Sequence, residues 1–122
     1  MNVLIIDDEE NVLAVTALIV RTTGHRAYTA YNPQQADQIL TEKKVHAIIL
    51  DRMLGKTDGL DYMEELQARG SQIPVVIFTA HMSPNILPEA KRRGARHFIQ
   101  KPFRPDQIRK TIRLVEKEHW GE

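Results

Sequence analysis

The stretch Val3-Leu4-Ile5-Ile6-Asp7-Asp8-Glu9-Glu10 passes without transition from four apolar residues to four acids, and its reading decides the fold. Unbroken rather than alternating hydrophobicity predicts a short strand covered on both faces, as in a parallel sheet. Ala47-Ile48-Ile49-Leu50 and Val75-Val76-Ile77-Phe78 repeat the pattern. Strands are expected at Val3–Ile6, His46–Leu50, Val75–Thr79 and His97–Gln100, with a weaker one at Arg26–Tyr31.

Between these runs the period becomes helical. Val12, Val15 and Ile19 predict one apolar stripe stopped by Gly24, and Asn32-Pro33 opens a second helix with Pro33 at its first position. Leu60, Met63 and Leu66 form a third stripe ended by Gly70, and Ile108, Ile112 and Val115 mark the last helix, which opens at Pro105. Pro84 and Pro88 stand four apart, so a helix through both would lack an N–H for the Pro84 carbonyl. A loop over 80–87 and a fourth helix starting near Pro88 are expected. The order is a β-α pair repeated five times. Strands about 20 to 30 residues apart leave room for right-handed crossovers in one parallel sheet, an α/β class with helices on both faces.

Working outward, 122 residues make one compact unit. With 42% hydrophobic and 27% charged residues, the composition excludes a disordered tail or a fibrous repeat. The net charge of +1 conceals a split: residues 1–61 carry six basic and nine acidic side chains, and 62–122 carry eleven and seven, giving −3 and +4. The absence of cysteine excludes a disulfide framework, a thiol nucleophile and thiolate metal ligands, and fits a cytoplasmic setting. No apolar run approaches the ~18 residues of a spanning helix, and no membrane association is expected.

In open parallel sheets ligands bind at the carboxyl ends of the strands. The residues found there are Asp7 and Asp8 after the first strand, Asp51 after the third, Thr79 ending the fourth and Lys101 after the fifth. Any one of them has a plain structural explanation: Asp8 as a helix N-cap, Lys101 as a solvated lysine. Their joint placement at successive strand ends does not. Three converging carboxylates repel unless a cation joins them, and an oxygen-donor site of this kind suits Mg²⁺. Asp51 can then attack phosphorus once the metal and Lys101 offset the charge of the incoming phosphoryl group, with Thr79 donating its hydroxyl.

Ile5-Ile6-Asp7-Asp8-Glu9, Ile48-Ile49-Leu50-Asp51, Thr79-Ala80 and Lys101-Pro102-Phe103 together resemble the signature of the response-regulator receiver domain of two-component signalling. The resemblance spans the chain, so residues 1–122 are expected to form one receiver domain. It implies a (βα)5 flavodoxin-like fold whose five-stranded parallel sheet has the order 2-1-3-4-5. It also implies that Asp51 is the phosphoacceptor, that Asp8 and Asp51 bind Mg²⁺ directly, that Asp7 helps through water, and that the Met53 backbone carbonyl is a further ligand. Thr79 and Lys101 would bind the phosphoryl group, and the Lys101–Pro102 bond would be cis. Thr79 and Phe98 would carry the switch to the face of the fourth helix, fifth strand and fifth helix. Phe98 lacks a hydroxyl and would have to act through burial of its ring. The implied partners are a sensor histidine kinase or phosphotransfer protein as donor, and a downstream protein or covalently linked output domain outside this chain. Such a domain is a phosphoacceptor that assists its own phosphorylation and dephosphorylation, not an enzyme in the ordinary sense.

Two departures from the family pattern carry expectations. Gly55 stands where the family usually has proline and should loosen the loop that presents the Met53 carbonyl, weakening metal affinity. Arg96-His97, with Arg92, Arg93, Arg109, Lys110 and Arg113 nearby, argues against a symmetric salt-bridged dimer on that face. His81, two residues past Thr79, is a candidate modulator of water access, although a solvent-exposed loop histidine is the simpler reading. The five histidines lack ligand spacing, and a histidine-based metal site is not expected. The basic stripe Lys91–Arg96 has no interleaved aromatics, so direct DNA binding is not expected either. The competing reading is a phosphorylation-independent protein-binding module on the same fold. A flavin or nucleotide enzyme is disfavoured because the first turn is acidic and neither G-x-G-x-x-G nor G-x-x-x-x-G-K-[ST] occurs.

Overall fold

The apolar runs become strands, and the computed structural model, which describes residues 1–80 and 85–121, places five of them in one sheet. These are β1 (Asn2–Ile6), β2 (Arg26–Ala30), β3 (Ala47–Asp51), β6 (Val75–Thr79) and β7 (His97–Gln100). A two-stranded hairpin, β4 (Met53–Leu54) with β5 (Thr57–Asp58), follows β3. The helices are α1 (Glu10–Thr22), α2 (Pro33–Glu42), α3 (Gly59–Ala68), α4 (Ile86–Arg92) and α5 (Pro105–His119). All pairings in the large sheet are parallel, in the order β2-β1-β3-β6-β7. With the hairpin strands set aside, this is the order 2-1-3-4-5.

The inner strands β1, β3 and β6 are covered on both faces, which is why their hydrophobicity does not alternate. Val3, Ile5, Ile49, Phe78 and Ile99 pack with Leu13, Ala17, Val20, Ile108, Ile112 and Val115 of α1 and α5. Leu4, Ile6, Leu50 and Ile77 face the other way, onto Leu60, Met63 and Leu66 of α3 and Ala90 of α4. Asn32 caps α2 by accepting the Gln35 N–H at 2.8 Å, and Pro33 follows as the first helical residue.

Three sequence expectations are corrected. The inward face of α1 is Leu13, Thr16, Ala17, Ile19 and Val20, whereas Val15 is 49% exposed. The helix starts at Glu10, and its rotation turns Val15 and Leu18 to solvent. Helix α4 begins at Ile86 rather than near Pro88. Pro88 thus falls in the first turn, where an N–H would have had no intrahelical acceptor. Residues 81–84 of the expected loop, including His81, lie outside the described residues. Arg93, counted in the basic face, instead binds Asp61 and Glu64 of α3 through its guanidinium and ties α4 to that helix.

Candidate functional site

The strand register fixes which side chains meet. Ile6 pairs with Leu50, Asp51 with Phe78 and Thr79 with Gln100, so Asp7, Asp51, Thr79 and Lys101 leave the sheet along one carboxyl edge. Asp7 is fully buried, and Asp51 and Thr79 are 5% and 3% exposed, while Asp8 faces solvent. One oxygen each from Asp7, Asp8 and Asp51 lie within 4.8 Å of one another. The Lys101 ammonium reaches in from β7, 2.8 Å from Asp7 Oδ2 and 3.3 Å from Asp51 Oδ2. The Lys101–Pro102 peptide bond is cis, and the Lys101 N–H donates to the Thr79 carbonyl at 2.8 Å.

The carboxylates are held by backbone amides. Asp7 Oδ1 accepts from the Glu9 N–H at 2.9 Å, and Asp51 Oδ1 from the Met53 N–H at 3.2 Å. Asp8 is not the N-cap of α1. That position is Glu9, without a side-chain cap, and Asp8 Oδ2 accepts from the Gly55 N–H at 3.0 Å. Gly55 also has a role in the loop that chain freedom alone does not suggest. Its φ of +59° makes it the first central residue of the β4–β5 hairpin, a conformation favoured by glycine and closed to proline, and its N–H is the donor that proline lacks.

Burial raises the Asp51 carboxyl to about 6, and the negative charge of Asp7 adds to the rise. Lys101 and the Met53 amide oppose it. Burial alone would lower Lys101, but the two carboxylates outweigh it and hold the ammonium above its ordinary range. Three carboxylates against one ammonium leave two uncompensated negative charges if all ionise. An oxygen-only donor set with that excess charge fits a hard divalent cation such as Mg²⁺.

Met53 itself is 61% exposed, and its backbone lies in the hairpin beside Asp51. Phe98 is half-buried against the core on the α3 and α4 side of the sheet. Two contributors escaped the sequence reading. One is the Gly55 amide. The other is Gly59, the first residue of α3, where a Cβ would stand 2.2 Å from the Asp51 backbone oxygen and whose N–H donates to the Arg52 carbonyl at 2.6 Å. The Asp58-Gly59 pair at a helix start was the available signal. Asp58 caps α3 through the Leu60 N–H, and glycine next to it permits the approach.

The family model "Response regulator receiver domain" matches residues 3–113. Over 110 residues, 88% of this chain, the sequence is 37% identical to an NtrX-like response regulator, so described, of Rickettsia bellii. Over 107 residues it is 31% identical to the alginate biosynthesis transcriptional regulatory protein AlgB of Pseudomonas aeruginosa. The chain spans about a quarter of the length of these curated relatives, 23% and 24%. The crystal structure of the receiver domain of NtrX from Brucella abortus superposes with a TM-score of 0.85 at 29% identity, covering 93% of this chain and 96% of that one.

Proposed function

The chain belongs to the response regulator receiver domain family, and from that premise we propose that it accepts a phosphoryl group on Asp51 in a Mg²⁺-dependent transfer. The observation that carries this reading is a carboxylate buried at a strand end, 3.3 Å from an ammonium and beside two further acids. Asp51 Oδ attacks phosphorus, the new P–O bond forms as the P–N bond of a phosphohistidine breaks, and the electron pair leaves with the imidazole. Mg²⁺, held by Asp7, Asp8, Asp51 and the Met53 carbonyl, supplies positive charge for the phosphoryl oxygens when bound. Lys101 offers its ammonium to a second phosphoryl oxygen, and Thr79 offers its hydroxyl at the neighbouring strand end. The Met53 amide holds Asp51 Oδ1 and Lys101 faces Oδ2, so the carboxylate is fixed in orientation from both sides.

The protein is its own substrate, assisting its phosphorylation and dephosphorylation rather than turning over a separate one. A histidine kinase or phosphotransfer protein is the donor, in the cytoplasmic setting usual for the family. Thr79 and Phe98 pass the change to the face formed by α4, β7 and α5, which addresses a downstream protein or a covalently linked output segment. Because AlgB is described as a transcriptional regulatory protein, that output is transcriptional control, with this domain itself making no DNA contact.

Incubation with acetyl phosphate and Mg²⁺ is expected to add one phosphoryl group by intact mass spectrometry, with none added to Asp51→Ala. An adduct that persists in Asp51→Ala removes the assignment, and no adduct on the wild type leaves the phosphorylation-independent binding module in its place.

A further inference from the structure

At the amino end of the sheet, opposite Asp51, histidines that are far apart in sequence come together. His97 opens β7, His119 ends α5 and Glu118 precedes it. One ligand atom from each of the three lies within 4.8 Å of the other two. His97 is only 8% exposed, and its Nε2 and that of His119 are both buried without a hydrogen-bond partner. Glu118 Oε2 is 3.2 Å from His97 Nε2, an ion-pair contact, and among the described residues no such contact is made to His119 Nε2. The two rings meet edge to face with centroids 6.2 Å apart. A cleft lined in part by Gln67, Ser71, Gln72, His97 and His119 opens the cluster to solvent.

We infer that His97, Glu118 and His119 form a binding site for a transition-metal dication of the Zn²⁺ type. A buried imidazole nitrogen without a hydrogen bond, as at His119, is costly to maintain, and a metal would satisfy it while also taking the His97 nitrogen that now faces only Glu118. Two nitrogens and one carboxylate oxygen form the donor set of a three-ligand zinc site, with a water from the cleft as the fourth ligand. Tetrahedral bonds of about 2.0 Å place ligand atoms about 3.3 Å apart, a spacing His97 and Glu118 already have at 3.2 Å, so the cluster closes by a turn of the His119 ring from within 4.8 Å. Imidazole donors disfavour Mg²⁺, so the two ends of the sheet select different ions. Arg96 lines the same cleft and opposes a bound cation, so the affinity is expected to lie below that of the same three ligands without it. This site is independent of the phosphoacceptor reading.

The test is titration of the full chain with Co²⁺ and then Zn²⁺, in excess Mg²⁺. One equivalent of Co²⁺ is expected to develop the visible bands of a four-coordinate ion, and Zn²⁺ should displace it. His119→Gln is expected to weaken binding about tenfold or more while leaving acetyl phosphate labelling unchanged. His119 is less buried than His97, so this variant keeps the test available if His97→Gln fails to fold. His25→Gln and Asp51→Asn are expected to bind as wild type, which separates the cluster from the amino terminus and from the acidic pocket. No binding at about 100 µM ion, wild-type affinity in His119→Gln, or loss of binding in Asp51→Asn would each overturn the proposal.

Discussion

The two ends of one sheet carry opposite chemistry. The carboxyl end holds three carboxylates and an ammonium, oxygen donors with a net negative charge. The amino end gathers imidazoles. Besides His97 and His119, His25 Nδ1 lies 2.7 Å from the amino terminus, and His46 Nδ1 accepts from the Asn2 N–H at 2.9 Å. Trp120 closes this end, with its ring edge-on to His46 and its indole N–H donating to the His46 carbonyl at 3.0 Å. The contrast shows how a parallel sheet separates functions. Side chains that follow the strands share one rim, whereas those that precede them share the other with the C-terminal turn of the last helix.

The contrast breaks most sharply at Lys101. Lys101→Ala is expected to slow acetyl phosphate labelling about 10²–10³-fold, because it removes the ammonium beside Asp51 that would face the incoming phosphoryl group, while Zn²⁺ affinity stays unchanged. Labelling time courses and Co²⁺ spectra on the same sample check both ends. Gly59→Ala comes next. A methyl group 2.2 Å from the Asp51 carbonyl must displace the end of β3, at a cost of about 2–3 kcal/mol in urea unfolding, together with slower labelling.

Asp51→Asn separates stability from chemistry at the carboxyl end. An acid whose folded pKa lies above its unfolded value is most favourable to the fold when protonated. That contribution is complete below about pH 4 and is lost as pH rises through about 6. The amide imitates the protonated form. In EDTA at about pH 7 it should stabilise the protein by about 1–2 kcal/mol, a gain that shrinks toward zero near pH 4. Equal urea midpoints at both pH values would show that Asp51 is not strained by burial and by Asp7.

The smallest effect belongs to the amino end. Trp120→Phe removes one half-exposed indole hydrogen bond and should cost about 0.5–1 kcal/mol. The same indole sharpens the comparison as a probe. Its fluorescence is expected to change with Zn²⁺, which would bind at the same edge of the sheet, and to stay constant with Mg²⁺, which would bind at the opposite edge.

Much of the carboxyl end was legible before any coordinates. Ile6, Leu50, Phe78 and Gln100 sit at or beside strand ends, so the polar residues next to them had to emerge on one rim. What escaped there was backbone. Chain freedom alone makes Gly55, in place of the usual proline, a weak point and leaves out what its amide donates to. Its hydrogen bond to Asp8 crosses 47 positions and depends on the hairpin turn. The α1 stripe was misjudged for a related reason. Val12, Val15 and Ile19 share a helical face, but only packing against the sheet and α5 decides that Leu13, Thr16 and Val20 turn inward.

The histidines mark the limit. Their spacing carries no ligand signature, since His97 and His119 stand at the two ends of a β-loop-α unit and meet only because α5 runs back antiparallel to β7 across the sheet face. By itself the sequence determined the strands, their parallel class and the acidic rim, because uninterrupted apolar runs must be buried on both faces and whatever follows them must leave at the same edge. Tertiary structure alone decided the amide clamps on Asp8 and Asp51 and the imidazole cluster opposite, because those contacts depend on turn geometry and on the length of a returning helix, neither of which local periodicity encodes.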